Sequence, residues 1–217
     1  MLACVGNRQN MPLKTWLFLP MSSYMGYEMA LPPLLLLHGT GGDENDLISL
    51  GRHVAPGATL ISPRGKVLEG AMPRFFRRVA EGVWDIDDLH RRTDELAAFV
   101  ARAREIYKLG PTIAVGYSNG ANIAWSLLLR RPDLLAGAVL MRAMLPFDPP
   151  PAQDLGGVPV LVLAGAADPV VPAPQRDRLA ALLKQAGADV TYHVIPAGHG
   201  LTERDLDLVR EWLAARS

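Results

Sequence analysis

A Gly-x-Ser-x-Gly pentapeptide lies between a short apolar run and an apolar helical pattern. It comprises Gly116-Tyr117-Ser118-Asn119-Gly120; residues 112–116 (TIAVG) have the composition of a buried strand, and residues 119–130 that of a buried helix. A chain that passes from strand to helix so abruptly makes a strained turn, where a bulky side chain two positions from the serine would clash. We therefore predict a strand–turn–helix unit that exposes the Ser118 hydroxyl as a nucleophile. The alternative is an ordinary N-cap serine at a glycine-rich helix start.

The alternation of short apolar runs with helical patterns continues along the chain. Six runs are typical of strands buried on both faces: residues 34–37, 59–62, 112–116, 137–141, 158–164 and 190–195. Four segments have helical spacing: residues 87–107, 119–130, 175–185 and 203–215. Thr202 is the predicted N-cap of the last helix, with Asp205 completing a capping box, and residues 14–19 are a candidate edge strand. This order predicts an α/β fold with a mostly parallel sheet.

Composition excludes several classes of protein. The chain has 217 residues, which suits one domain, and 22 basic residues balance 22 acidic ones, so no charge excess favours nucleic acid or an anionic membrane. No apolar run approaches the ~20 residues of a membrane span. The single cysteine, Cys4, excludes an internal disulfide and is compatible with the cytoplasmic location that we expect.

A nucleophilic serine needs a histidine to take its proton. In strand–turn–helix sites the chain order is serine, then Asp or Glu, then histidine. Only His193 and His199 follow Ser118 in this chain. His193 lies inside the apolar run 190–195, whereas His199 lies between two glycines in the loop before the last helix. We therefore predict that His199 is the general base.

The histidine in turn needs a carboxylate that fixes its tautomer. Asp168 follows the strand predicted over residues 158–164, and active sites of α/β proteins assemble at the carboxyl ends of strands. Asp168 is therefore the predicted acid, although an aspartate before proline is also a common turn residue. The alternatives that we consider among the later carboxylates are Asp148, Asp154, Asp177 and Asp189.

An early glycine-rich loop, residues 38–42 (HGTGG), follows the first leucine run. In sites of this kind such a loop supplies one backbone N–H to the oxyanion, and the residue after the nucleophile supplies a second. We therefore predict that the N–H groups of Thr40 and Asn119 form an oxyanion hole. His38 is expected to hold the loop together and to take no part in the chemistry.

Residues 67–84 are the longest segment without an assigned element and are expected to border the cleft. Apolar side chains here and near residue 144 are the predicted substrate-binding wall, or else fill gaps in the core: Met72, Phe75, Phe76, Trp84, Met144 and Leu145. Arg74, Arg77 and Arg78 favour a solvated basic face over contact with an anionic substrate. We therefore expect uncharged esters with a small or medium acyl group.

Six motifs follow one another along the chain: HGTGGDENDL (38–47), SPRG (62–65), MPRFF (72–76), GYSNGAN (116–122), GAADPVVP (165–172) and GHGLT (198–202). In this order they resemble the phospholipase/carboxylesterase family of small α/β-hydrolases, especially its bacterial carboxylesterases and hydroquinone-linked hydrolases. The resemblance covers residues 31–215. One departure is Ala143, where relatives usually have proline, close to the expected acyl pocket.

The resemblance implies an α/β-hydrolase fold, which we expect over residues 13–217 without a separate lid domain, after a flexible segment of residues 1–12. It matches Ser118, Asp168 and His199 to the family's triad, and Thr40 and Asn119 to its oxyanion donors. It implies catalysis without a metal or organic cofactor, and members are often homodimers.

We therefore expect a carboxylesterase that acts on small-molecule esters through an acyl-enzyme on Ser118. The first alternative is a thioesterase or lysophospholipase with the same triad. Another alternative is a peptidase, but the sequence shows no substrate-anchoring domain that would support it. A catalytically silent binding protein of the same fold usually lacks a triad residue, whereas all three are present here.

Overall fold

The computed structural model describes residues 3–5, 15–19, 31–80, 82–148 and 154–216. Its strands, in chain order, are β1 (Ala3–Val5), β2 (Thr15–Leu19), β3 (Leu34–Leu37), β4 (Leu60–Pro63), β5 (Val67–Glu69), β6 (Met72–Arg74), β7 (Arg78–Ala80), β8 (Val83–Trp84), β9 (Thr112–Tyr117), β10 (Leu135–Met141), β11 (Pro159–Gly165) and β12 (Asp189–Ile195). Its α-helices are α1 (Ile48–Val54), α2 (Ile86–Tyr107), α3 (Asn119–Arg130), α4 (Ala173–Gln185) and α5 (Glu203–Ala214).

Eight strands form one sheet in the order β1-β2-β4-β3-β9-β10-β11-β12. The last six strands in this order, β4, β3, β9, β10, β11 and β12, are parallel to one another. They correspond to the six apolar runs of the sequence, and each end agrees within two residues. β2 pairs antiparallel with β4, and β1 pairs antiparallel with the outer side of β2. The segment predicted as an edge strand is therefore second from the edge. β1 lies within the segment expected to be flexible; residues 1–2 and 6–12 of that segment lie outside the described residues.

Helices cover both faces of the sheet, which is why its strands lack an alternation of polar and apolar residues. Leu35 and Leu37 pack in a core with apolar residues of α2, α3 and α4. Leu34 and Leu36 point the other way, into a core with α1 and α5. All four leucines are fully buried. Burial of this kind contributes about 1.5–3 kcal/mol for each leucine side chain.

The predicted helices are present, and their ends follow local signals. Asp85 is the N-cap of α2, and its carboxylate accepts a hydrogen bond from the Asp88 N–H. Thr202 is the N-cap of α5, as predicted, and the Asp205 carboxylate accepts from its N–H and its hydroxyl. In the described part of the chain no helix combines the length and apolarity that crossing a bilayer requires.

The sequence analysis missed α1 and the two small hairpins, β5–β6 and β7–β8. α1 has only seven residues and contains Gly51, so its periodic signal is weak. A Cβ at Gly51 would come within 3.0 Å of Leu36 and 3.1 Å of Leu60, so glycine lets the helix lie close to the sheet. The hairpins lie within the unassigned segment 67–84 and bring it to the carboxyl edge of the sheet, where the site lies.

Candidate active site

Ser118 occupies the tight turn between β9 and α3. Its φ is +52°, a left-handed conformation that is uncommon for residues other than glycine. A Cβ at Gly116 would lie 2.5 Å from the Gly120 carbonyl oxygen, and one at Gly120 would lie 2.0 Å from that of Leu37. Both glycines are therefore required by the close approach of backbone, as the pentapeptide predicted.

Ser118, His199 and Asp168 come together in one hydrogen-bonded chain. His199 Nε2 lies 3.0 Å from Ser118 Oγ, and His199 Nδ1 lies 2.9 Å from Asp168 Oδ2. The other Asp168 oxygen accepts hydrogen bonds from the N–H groups of Val170 and Val171, and its side chain is 1% exposed. The carboxylate is thus held in position and away from water, and it orients the imidazole toward the serine.

Three of the four alternative carboxylates have other partners, and the fourth lies at the start of a strand. Asp148 pairs with Arg178, and Asp177 accepts a hydrogen bond from the Tyr192 hydroxyl. Asp154 accepts from the Gly156 N–H, in a turn, and Asp189 is the first residue of β12. His193 lies within β12, in register with Leu163.

The backbone around His199 is held through three consecutive carbonyl groups. Arg142 donates from Nε to the Gly198 carbonyl (3.0 Å) and from Nη2 to the Gly200 carbonyl (3.1 Å), and the Tyr117 hydroxyl donates to the His199 carbonyl (3.2 Å). Arg142 also makes a two-fold ion pair with Asp205, at 2.8 and 2.9 Å, and both side chains are fully buried. The sequence analysis missed this role, although an arginine at the end of an apolar run was a visible signal of a buried ion pair.

The loop after β3 lies beside Ser118. Within the described part of the chain, the N–H groups of Gly41 and Gly42 donate to the carbonyls of Pro73 and Gly39, whereas no hydrogen bond is recorded from the Thr40 N–H. Asn119 is the first residue of α3, where N–H groups have no acceptor within the helix. Thr40, Ser118 and Asn119 all line the same cavity.

His38 holds this loop, as expected. Its Nδ1 lies 2.7 Å from the Gly39 carbonyl oxygen, and its Nε2 accepts a hydrogen bond from the Gly65 N–H at 3.0 Å. Its ring contacts that of Phe75, with centroids 4.6 Å apart. Accepting from Gly65 requires a lone pair on Nε2, so the imidazole is neutral with its proton on Nδ1.

Burial lowers the pKa of His38 below its ordinary value of 6.5. The unfolded chain therefore binds a proton that the folded protein excludes, so this stabilisation is complete above about pH 6.5 and is lost as the pH falls toward the folded pKa. In urea titrations at pH 7.5 and 5.5, we expect His38→Gln to lose less unfolding free energy on acidification than the wild type, by up to about 1.4 kcal/mol per pH unit. His53→Gln, on an exposed position of α1, controls for removal of a histidine. An equal loss in wild type and His38→Gln would contradict this assignment.

A cavity of about 340 Å³ opens beside Ser118. Its polar lining residues are Thr40, Arg74, Arg78, Ser118, Asn119, Asn122 and Gln175. Its other lining residues are Gly82, Trp84, Met144, Pro169, Val170 and Pro172. The last group includes three residues between Asp168 and α4 that the sequence analysis did not assign to the site, although they follow β11 at the edge of the sheet where Ser118 lies.

Only part of the predicted apolar wall lines this cavity. Trp84 and Met144 do so. Phe75 and Phe76 instead fill the core, which is the alternative that the sequence analysis left open, and Phe76 packs edge-on against Trp84. Leu145 packs against the same core. Met72 is 44% exposed on β6, and its side chain lies beside Gly41.

The expectation of a solvated basic face is correct for only one of the three arginines. Arg77 is exposed and pairs with Asp85. Arg74, by contrast, is 2% exposed, and both Arg74 and Arg78 line the cavity and pair with Glu69. The β5–β6 and β7–β8 hairpins produce this difference, because they turn these two side chains inward.

Comparison with known proteins gives consistent results. Residues 32–158 match a family model described as the alpha/beta hydrolase fold. MhqD of Bacillus subtilis (strain 168), named as a hydrolase, is 47% identical over 181 residues, which are 82% of this chain and 90% of that protein. A carboxylesterase from Bacillus cereus superposes with a TM-score of 0.89 at 41% identity, covering 96% of each chain. A carboxylesterase from Mesorhizobium loti superposes with a TM-score of 0.87 at 33% identity, covering 98% of each chain.

Proposed function

This chain belongs to the alpha/beta hydrolase fold family, and we propose that it is a serine esterase that cleaves carboxylic esters of small to medium acyl chain. One observation carries the proposal. Two hydrogen bonds connect Asp168, His199 and Ser118 in series at the edge of a cavity, with the hydroxyl at the cavity end. The similarity to two carboxylesterases of known structure supports the same reaction class.

The reaction follows from the roles that this geometry suits. Ser118 Oγ attacks the ester carbonyl while His199 Nε2 takes its proton, and the N–H groups of Thr40 and Asn119 stabilise the resulting oxyanion. When the intermediate collapses, His199 returns the proton to the leaving alcohol and an acyl-enzyme remains on Ser118. Water then attacks the acyl group and gives a proton to His199. When this second intermediate collapses, His199 returns the proton to Ser118 Oγ and the carboxylic acid leaves. Asp168 holds the histidine tautomer throughout.

The cavity favours small and medium substrates. A volume of about 340 Å³ is near the lower end of the ~300–1,000 Å³ typical of ligand pockets. Seven of the thirteen described residues that line it are polar, which suits a short chain with polar groups better than the long alkyl chain of a lysophospholipid. These features favour esterase activity over the thioesterase or lysophospholipase alternative.

A chain-length panel of esters and thioesters tests the proposal. With purified protein, we expect kcat/KM for 4-nitrophenyl esters to be highest for acyl groups of about two to eight carbons and to fall for palmitate, because the longer chain exceeds the cavity. The matched acyl-CoA thioesters and lysophosphatidylcholine should be poorer substrates. A preference for either of these would favour the alternative, and no hydrolysis of any of them would favour a binding protein.

A further inference from the structure

Among the described residues, the charged side chains that line the cavity are both basic. Arg74 and Arg78 line it, and no aspartate or glutamate is among the described residues that do so. The chain as a whole has a formal net charge of zero, so this basic wall is a local feature and does not reflect an overall excess of arginine and lysine. A cavity whose charged lining is of one sign attracts ligands of the opposite sign, in this case anions.

Arg74 is placed to contact a ligand. Its side chain is 2% exposed, and its guanidinium carbon lies 5.9 Å from the centre of the Trp84 ring, which also lines the cavity. It donates from Nη1 to Glu69 at 2.9 Å and from Nε to the Phe76 carbonyl at 3.3 Å. These bonds use two of the five guanidinium donors, and within the described part of the chain the guanidinium makes no other hydrogen bond.

One carboxylate serves both cations. Glu69 accepts hydrogen bonds from Arg78 at 2.6 and 3.0 Å as well as from Arg74. The hydrogen bond from Arg78 lowers the pKa of Glu69, so the carboxylate is ionised. Burial lowers the pKa of Arg74, yet a guanidinium remains protonated at neutral pH. Arg74 thus shares its carboxylate partner with a second guanidinium, and it has lost nearly all contact with water.

Arg74 is therefore a buried cation with guanidinium donors that are not used by the described residues, and an anion bound in the cavity would accept from them. We propose that the ester substrate carries a carboxylate, and that Arg74 together with Arg78 binds this group in the cavity beside Ser118. Arginine suits this role because its planar fork matches a carboxylate with two parallel hydrogen bonds. The inference rests on the proposed esterase function and adds the charge of the substrate to it.

Matched pairs of esters test the charge preference. For a carboxylate on the acyl side, the pair is the 4-nitrophenyl monoester of adipic acid and the same ester with a terminal primary amide. For a carboxylate on the alcohol side, the pair is 4-acetoxyphenylacetate and its amide. In at least one pair, we expect wild-type kcat/KM to be about ten- to a hundredfold higher for the acid, as a charge-assisted hydrogen bond would give. The pair that shows the preference identifies the side.

Substitution of the arginines locates the effect. Arg74→Met should reduce the acid-to-amide ratio of kcat/KM by about ten- to a hundredfold, chiefly through KM for the acid. Arg78→Met, which alters a side chain 28% exposed, repeats the test should Arg74→Met fail to fold. Arg77→Met is the matched control, because Arg77 is a neighbouring arginine outside the cavity lining, and it should keep the wild-type ratio.

Failure of the proposed anion site and failure of the proposed esterase function give different results. If 4-nitrophenyl butyrate is hydrolysed while both acid-to-amide ratios are near one, the proposed anion site is wrong and the esterase function stands. The anion site is equally wrong if the ratio is high but is unchanged in both Arg74→Met and Arg78→Met. If no ester is hydrolysed, the esterase function and the anion site that rests on it are both overturned.

Discussion

Replacing Ser118 with alanine should lower kcat for 4-nitrophenyl butyrate by about 10⁴- to 10⁶-fold. Alanine removes the only atom that can form the acyl-enzyme, and the remaining His199 and Asp168 then have no serine hydroxyl to activate. Residual hydrolysis should come only from binding and from the oxyanion donors, whose contribution over water is about 10³- to 10⁴-fold. Hydrolysis followed at 400 nm with purified variant measures this loss.

The fold should be unaffected by the same change. Ser118 has φ of +52°, and alanine carries the same Cβ in this turn, so the backbone strain is equal in both proteins. The unfolding midpoint in urea should therefore match that of the wild type. Ser49→Ala, at an exposed position of α1, is the matched control and should retain full activity. Turnover of Ser118→Ala near the wild-type rate would exclude Ser118 as the nucleophile.

Replacing Arg142 with methionine should destabilise the protein by about 3–5 kcal/mol. The change leaves the Asp205 carboxylate buried without its partner, and it removes the donors to the carbonyls of Gly198 and Gly200. An unpaired buried charge costs more than the ion pair itself contributes, because neither water nor another cation can reach it. Urea unfolding with a linear extrapolation measures the difference.

Arg130 provides a matched control for this change. It forms the same two-fold pair with Asp94, at 3.0 and 2.9 Å, but on the surface, where such pairs contribute about 0.2–1 kcal/mol. Arg130→Met should therefore have a small effect. The double variant Arg142→Met/Asp205→Leu should recover part of the lost stability, because it removes the unpaired charge. If Arg142→Met costs no more than Arg130→Met, the buried ion pair does not hold this region together.

Local patterns predicted much of the fold because their physical causes are local. Leu34–Leu37 is apolar at every position since helices cover both faces of the strand, and this continuous run is visible without knowledge of the helices. The start of α5 was predicted from Thr202 and Asp205, which lie within one helical turn. α1 was missed because its seven residues give a weak periodic signal, and the hairpins within residues 67–84 were missed because their strands have only two or three residues each.

The sequence was sufficient to predict which three residues meet, because the Ser118 pentapeptide is followed by Asp168 and His199 in the family's order. In a parallel sheet, the loops after β9, β11 and β12 all emerge at one edge, so chain order and strand pattern determine that these side chains lie near one another. Only the tertiary structure decided which side chains surround them. Burial of Phe75 and Phe76, the inward turn of Arg74 and Arg78, and the pairing of Arg142 with Asp205 depend on packing between residues far apart in the chain. Such contacts cannot be predicted from the periodicity or the motifs of a single segment.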